Sequence, residues 1–239
     1  MTKLLITEIT RMGPAFCVIG LQREKEKIQS IRPVPSFANG WAHFPHHRGD
    51  ILECALAPFP VPGAKPHVED RVATRGFEKS STVPEAETVM YLRKAETAQS
   101  LPDLFGCPIH ENKKGSGLHA MPHEAKRSIC GCETQNLRLE LYANELRATL
   151  ALPSGEALRD LPVVDRDWRD FIDASLSPGR GANRAARLER FLNSQFHYKI
   201  MSCPHHFIRL GLTRPFHDLC WLMLDTLFPL PRPEWLEEF

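Results

Sequence analysis

The sequence predicts a protein built mainly from short β-strands, with a few short helices. Three observations carry this. Twenty of the 239 residues are proline, which breaks both helices and central strands and so marks frequent chain reversals. Several stretches alternate polar and apolar residues with the period of a half-buried strand. Turn signals rich in Gly, Pro and Asn separate those stretches.

The elements follow in order. Leu4–Ile6 and Phe16–Gly20 read as two strands around a turn at Met12-Gly13-Pro14. Lys27–Arg32 alternates and stops at Pro33 and Pro35, a third strand running into an extended segment. Asp50–Leu56 is a fourth strand with one exposed face, and this order suits a small barrel. Ala57 to Lys79 is Pro-rich and polar. Val89, Leu92 and Ala95 recur at helical spacing within 85–100. From Leu101 to Glu124, Gly, Pro, Asn and His dominate without periodicity, which predicts a loop and the boundary between halves. Asn136–Tyr142 and Glu145–Leu150 form a hairpin turning at Ala143-Asn144, and Ala157–Val163 adds a strand. Asp165 caps a short helix reaching Ile172, and Ala182–Ser194 is a second helix with Leu188, Phe191 and Leu192 on one face. Phe207–Leu212 and Cys220–Asp225 are late strands. The tail, Pro229 to Phe239, is Pro-rich and acidic.

Composition bounds the function. Hydrophobic residues make up 42 % of the chain, enough for a packed core. Lys and Arg total 30 against 29 Asp and Glu, which argues against a protein that coats nucleic acid through bulk charge. A local basic patch remains compatible with that balance. No apolar run is long enough to span a bilayer. Glu8 interrupts the N-terminal apolar stretch, which a secretory signal does not tolerate. Seven scattered cysteines, an odd number, suit a reducing compartment. The expectation is a cytoplasmic protein.

Several short stretches, in order, resemble the dual OB-containing domain family of prokaryotes. They are Ser30-Ile31-Arg32-Pro33-Val34, Pro66-His67-Val68-Glu69-Asp70-Arg71, Arg127-Ser128-Ile129, Leu161–Asp165 with Trp168, Ile208–Pro215, and Cys220-Trp221-Leu222. The resemblance spans nearly the whole chain and implies two oligonucleotide-binding-type (OB) barrels in tandem. It assigns 1–105 to a first barrel with a helical extension and 106–126 to a loop or insertion. A second barrel with a helical insertion follows over 127–239. It also implies a part in nucleic-acid processing or defence, with no settled activity. The Cys/His-rich stretch Cys107–Cys132 and the Arg-rich stretch near Arg180–Arg190 depart from the plain pattern.

Candidate ligand contacts start with Arg32, locked by Pro33 at a strand end. Its guanidinium suits a phosphate or a base edge. It could equally pair with Glu69 or Asp70, and a carboxylate that orients an arginine serves both readings. Arg209 and Arg214 flank Gly211. Alternation would turn Arg209 to solvent, and Arg214-Pro215 repeats the Arg-Pro device. Phe216 and Trp221 could stack a base, although a Trp inside an apolar run is more often core. Arg48, beside His46-His47, could contact phosphate.

Cys107, His110, His119 and His123 have spacings compatible with a closed structural zinc, against the alternative of loop histidines and a buried thiol. No cofactor is otherwise expected. His67, Glu69 and Asp70 could serve general acid–base chemistry. No phosphate-cradling glycine loop, nucleophile elbow or complete deaminase motif occurs.

The chain therefore reads as a non-catalytic module that binds single-stranded nucleic acid or a nucleotide. One alternative is a metal-assisted nuclease or nucleotide hydrolase using His67, Glu69 and Asp70. Another is an adaptor docking a protein partner through Trp235 and Phe239.

Overall fold

The structure is a computed structural model and describes residues 1–35, 41–60, 65–95, 97–112, 117–142, 145–176 and 184–230. Strands account for 51 % and helices for 16 %, so the fold is mainly β. The Ala143-Asn144 turn, the Arg180 end of the Arg-rich stretch and the tail with Trp235 and Phe239 lie outside the described residues.

The first half is one seven-stranded sheet. Strands β1 (Thr2–Met12), β2 (Ala15–Glu24) and β3 (Lys27–Pro35) form an antiparallel meander. Strand β4 (Asp50–Cys54) returns to pair with β1. After a break at Ala55, β5 (Leu56–Pro58) pairs with β6 (Asp70–Ala73), which lies parallel to β3. The β4 and β5 segments thus close on opposite sides of the meander, and the sheet curls into a half-barrel. Strand β7 (Glu78–Thr82) extends the β4 edge. Strands β6 and β7 thus arise in and just beyond the Pro-rich, polar stretch, where the sequence reading placed none. Their order comes from ladder bonds to distant partners, and β7 is exposed along its whole length, so neither shows an alternating pattern.

Two helices follow, α1 (Glu85–Arg93) and α2 (Leu101–Phe105), then β8 (His110–Glu111), β9 (Leu118–Ala120) and β10 (Ile129–Thr134). The stretch read as a loop thus contains a short helix and a small hairpin, held by Leu104, Phe105, Leu118 and Ala120 in the core. Strands β11 (Leu137–Tyr142), β12 (Glu145–Ala151) and β13 (Ala157–Pro162) form the expected meander. The leucines of β11 point inward and its Arg, Glu and Tyr outward.

Helices α3 (Arg166–Leu176), α4 (Arg184–Leu192) and α5 (Gln195–Met201) precede β14 (His205–Leu212) and β15 (Cys220–Leu230). Asp165 caps α3 as predicted, its Oδ1 accepting from the backbone N–H groups of Asp167 and Trp168 at 2.9 and 3.3 Å. Strand β14 lies between β10 and β15, and β15 continues to β9 and touches the end of β13 through a parallel Val163–Leu224 bridge.

Each half has its own core, around Leu4, Ile6 and Val18 in the first and Leu150, Leu158 and Trp168 in the second. A third cluster joins them, with Leu5 and Leu21 packed with Val89 and Leu92 of α1 and Phe207 and Phe228 of the last strands. No helix among the described residues is long and apolar enough to cross a membrane. None of the seven cysteines forms a disulfide.

Candidate ligand pocket

A cavity of about 800 Å³ opens where the halves meet. Its wall comes from the β1–β2 turn on one side and the β14–β15 connection on the other, with Arg32, His67 and Asp225 at its inner end. The volume falls in the range of small-molecule sites, about 300–1,000 Å³.

Parallel pairing of β3 with β6 sets Arg32 opposite Asp70. Arg32 Nη1 donates to Asp70 Oδ1 at 3.2 Å and to His67 Nδ1 at 2.6 Å, and Nη2 donates to Ser128 Oγ at 2.8 Å. The same serine hydroxyl donates to Glu69 Oε2 at 2.8 Å, and Glu69 Oε1 accepts from the Ser128 backbone N–H. Arg214 Nη2 donates to the other oxygen of Asp70 at 2.5 Å. One buried carboxylate thus holds two arginines at the same cavity, and the carboxylate partner of Arg32 is Asp70.

His67 is 4 % exposed. Its Nδ1 accepts from an always-charged guanidinium, so Nε2 carries the proton and donates to the Thr213 carbonyl at 3.2 Å. Burial first, then Arg32 and Arg214, push its pKa down to about 2. With both nitrogens engaged and so little basicity, it is poorly suited to general-base work at neutral pH. Burial raises the Glu69 carboxyl, against the opposing pull of Arg32.

The outer wall is aromatic. Phe216, 63 % exposed, stands at the mouth, and half-buried Trp221 lines the side. Phe216 and Leu219 exchange backbone hydrogen bonds around His217 and Asp218, whose φ values of 50° and 61° define a tight turn of the type that twists with its strands. Non-glycine residues at both positive-φ positions are uncommon, and such strain concentrates at functional sites. Trp221 pairs with His119 of β9, their rings 5.5 Å apart. Gly117, at φ 120°, has no side chain to fill that space, and a Cβ there would come within 3.2 Å of the indole.

Of the residues singled out from sequence, Arg32, His67, Arg214, Phe216 and Trp221 line this cavity, with Glu69 and Asp70 directly behind it. Two arginines lie elsewhere. Arg209 is fully buried rather than solvent-facing, its Nε donating to Glu8 Oε1 at 2.5 Å. Alternation fails on β14 because nearly every residue of this central strand is buried, so neither face meets water. Arg48 ties the loop before β4 to the second half, donating to Thr226 Oγ1 at 2.6 Å and the Leu227 carbonyl at 3.3 Å.

The Cys/His set does not converge. His110 and His119 face each other across the β8–β9 hairpin, rings 5.6 Å apart, while Cys107 is buried and His123 is exposed. Among the described residues no group of three or more His, Cys, Asp or Glu side chains is placed to hold a metal ion.

Sequence reasoning missed Asp225, Cys17 and Ser128. Asp225 is a lone carboxylate in an apolar strand, 3 % exposed, and it lines the cavity. The β14–β15 register slips at this residue: Arg209 faces Thr226 and Leu210 faces Leu224, so Asp225 is the extra residue of a bulge. Its carboxylate lies over Gly211, where an added Cβ would meet Oδ2 at 2.1 Å. The charge in that apolar run was the available signal.

No family model, curated protein or solved structure matches the chain.

Proposed function

We propose that this chain is a binding module for a nucleotide, free or as one unstacked unit of single-stranded nucleic acid. We read each half as an OB-like barrel. In the first, β1, β2, β3, β6 and the β5–β4 segment pair in a closed circuit. In the second, the β10–β11 segment, β12, β13, β15 and β14 follow the same circuit, closed at β13 and β15 by the Val163–Leu224 bridge. OB-folds bind ligands with the loops joining strands one and two and strands four and five. Under this reading the cavity sits between the first such loop of one barrel, around Pro14, and the second such loop of the other, around Arg214 and Phe216.

The observation that carries the proposal is the pairing, within one cavity, of arginines held by Asp70 with the Phe216 and Trp221 rings. Aromatic rings stack a base, and a guanidinium recognises a phosphate. The cavity's size suits a single unit better than a tract. Near-zero net charge fits recognition of a small ligand rather than coating of a polymer. The resemblance adds the setting, an accessory role in prokaryotic nucleic-acid processing or defence.

Calorimetric titration of the whole chain with nucleoside monophosphates, ribose 5-phosphate and short single-stranded DNA and RNA tests this. Saturable mononucleotide binding that Arg214→Ala weakens is expected. Absence of binding by mononucleotides and by oligonucleotides at low salt overturns the reading.

A further inference from the structure

The polar groups at the inner end of the cavity are already spent on one another. Both terminal nitrogens of Arg32 are engaged, by Asp70, His67 and Ser128, and both ring nitrogens of His67 by Arg32 and the Thr213 carbonyl. Arg32 is 6 % exposed and Asp225 3 %, so little of either reaches the cavity. What the walls present is mainly carbon, from Pro14 and Phe16 in the first half and Leu212, Phe216, Trp221 and Met223 in the second. Such walls can cover the faces of a flat ring but have few groups with which to read its edge.

Phe16 lines the wall opposite Phe216 and Trp221, and its place is fixed before any ligand arrives. Its backbone N–H and carbonyl exchange hydrogen bonds with Trp41, both at 2.8 Å, and β1 pairs it with Arg11 on the other side. The Trp41 indole donates to the Pro33 carbonyl at 3.0 Å and meets Phe77 edge-on, ring centroids 5.0 Å apart. The Phe16 side chain is half-buried, packed in part on the first half's core, and the rest of it is left to the cavity. A ring held this way loses little further freedom when a ligand stacks on it.

We propose that Phe16 is a further base-contacting residue of this pocket, and that the base is clamped between the halves and recognised by the area of its ring, not by its edge. The inference rests on the nucleotide reading above. With Phe16 contributed by one half and Phe216 and Trp221 by the other, a flat ring in the cavity buries both of its faces. A purine covers more of both walls than a pyrimidine and gains accordingly. Adenine and guanine, of nearly equal ring area, gain alike. The phosphate stays at the mouth on Arg214, the more exposed of the two arginines.

The test is calorimetric titration of the full chain with adenosine, guanosine, cytidine and uridine 5′-monophosphates, repeated on Phe16→Leu and Phe16→Tyr. In the wild-type chain the two purine ligands should bind within about threefold of each other, and about fivefold or more tighter than the pyrimidine ligands. Phe16→Leu keeps an apolar side chain but no ring, and should weaken the adenosine ligand about tenfold. Phe16→Tyr keeps the ring and should weaken it by less than about threefold. Pyrimidine ligands that bind as tightly as purines, or a gap of about tenfold between the two purines, overturn this inference and leave the nucleotide reading standing. Equal losses in the two variants, or no loss in either, do the same, because Phe16 then only shapes the wall. Absence of binding by all four ligands to the wild-type chain overturns both. The wild-type comparison decides the matter even where the variants do not fold.

Discussion

Arg32 Nη1 lies 2.6 Å from His67 Nδ1, and this contact fixes the histidine as a neutral imidazole with its proton on Nε2. An imidazolium there would set two cations against each other in a buried site. The structure therefore tolerates only one protonation state of His67, and that ties stability to pH.

The folded state holds the His67 pKa far below its unfolded value of about 6.5. The contribution is complete above the unfolded value and is lost as pH falls from there towards about 2, because the unfolded chain binds the extra proton. Urea unfolding at pH 6.5 and pH 5 should show the wild-type chain losing about 1–2 kcal/mol more than His67→Asn over this interval. His46, His119 and His206 shift in the same direction and are common to both proteins, so they cancel in the comparison. Equal slopes would show that His67 accepts its proton without loss.

Asp70 is the shared acceptor of Arg32 and Arg214. Asp70→Asn leaves Arg32, buried on the same floor, without its carboxylate. Breaking a buried pair from one side costs about 3–5 kcal/mol. Arg214 is partly exposed, so Arg214→Ala should cost under about 1 kcal/mol. Denaturant midpoints of the two variants should separate in that order.

Glu8 and Arg209 form an ion pair with neither side chain exposed, joining the first strand to the second half. Arg209→Met should destabilise by about 3–5 kcal/mol, since it strands a buried carboxylate. Replacing both residues with apolar ones of similar volume, Glu8→Leu with Arg209→Met, should recover much of the loss. A double-mutant cycle in urea checks this, and a double variant no better than the single would show the pair to be irreplaceable.

Gly211→Ala would place a Cβ 2.1 Å from Asp225 Oδ2. The expected cost is about 1–3 kcal/mol, the range for overpacking. Part of it should vanish in the Asp225→Ala background, because the two groups contend for one space. Additive costs in thermal unfolding would argue against that contact.

Phe216 is 63 % exposed at the cavity mouth. Phe216→Ala should change stability by no more than about 0.5 kcal/mol. It should still weaken mononucleotide binding about tenfold, within the range for losing a stacking ring. Unchanged affinity in calorimetry would remove Phe216 from the binding surface.

Local chemistry was legible in the sequence. The inward leucines of β11 and the Asp165 cap each depend on neighbours a few residues away. So does the Arg-Pro device that drew attention to Arg32 and Arg214. What a residue meets across the fold was not legible. Strand β6 is defined by ladder bonds to β3 and β5, and only that pairing brings Asp70 to Arg32. Arg209 sits in an alternating stretch yet turns inward, because tertiary packing covers both faces of β14. Asp225 looks like one polar residue in an apolar strand until a slip in register sets it over Gly211 and into the cavity. The sequence by itself determined a mainly β chain and singled out Arg32, His67, Arg214, Phe216 and Trp221 among the residues that line the cavity, since strand period, proline and charge act locally. The tertiary structure decided which cations are spent on buried carboxylates and which face the cavity, since that depends on register between strands far apart in the chain.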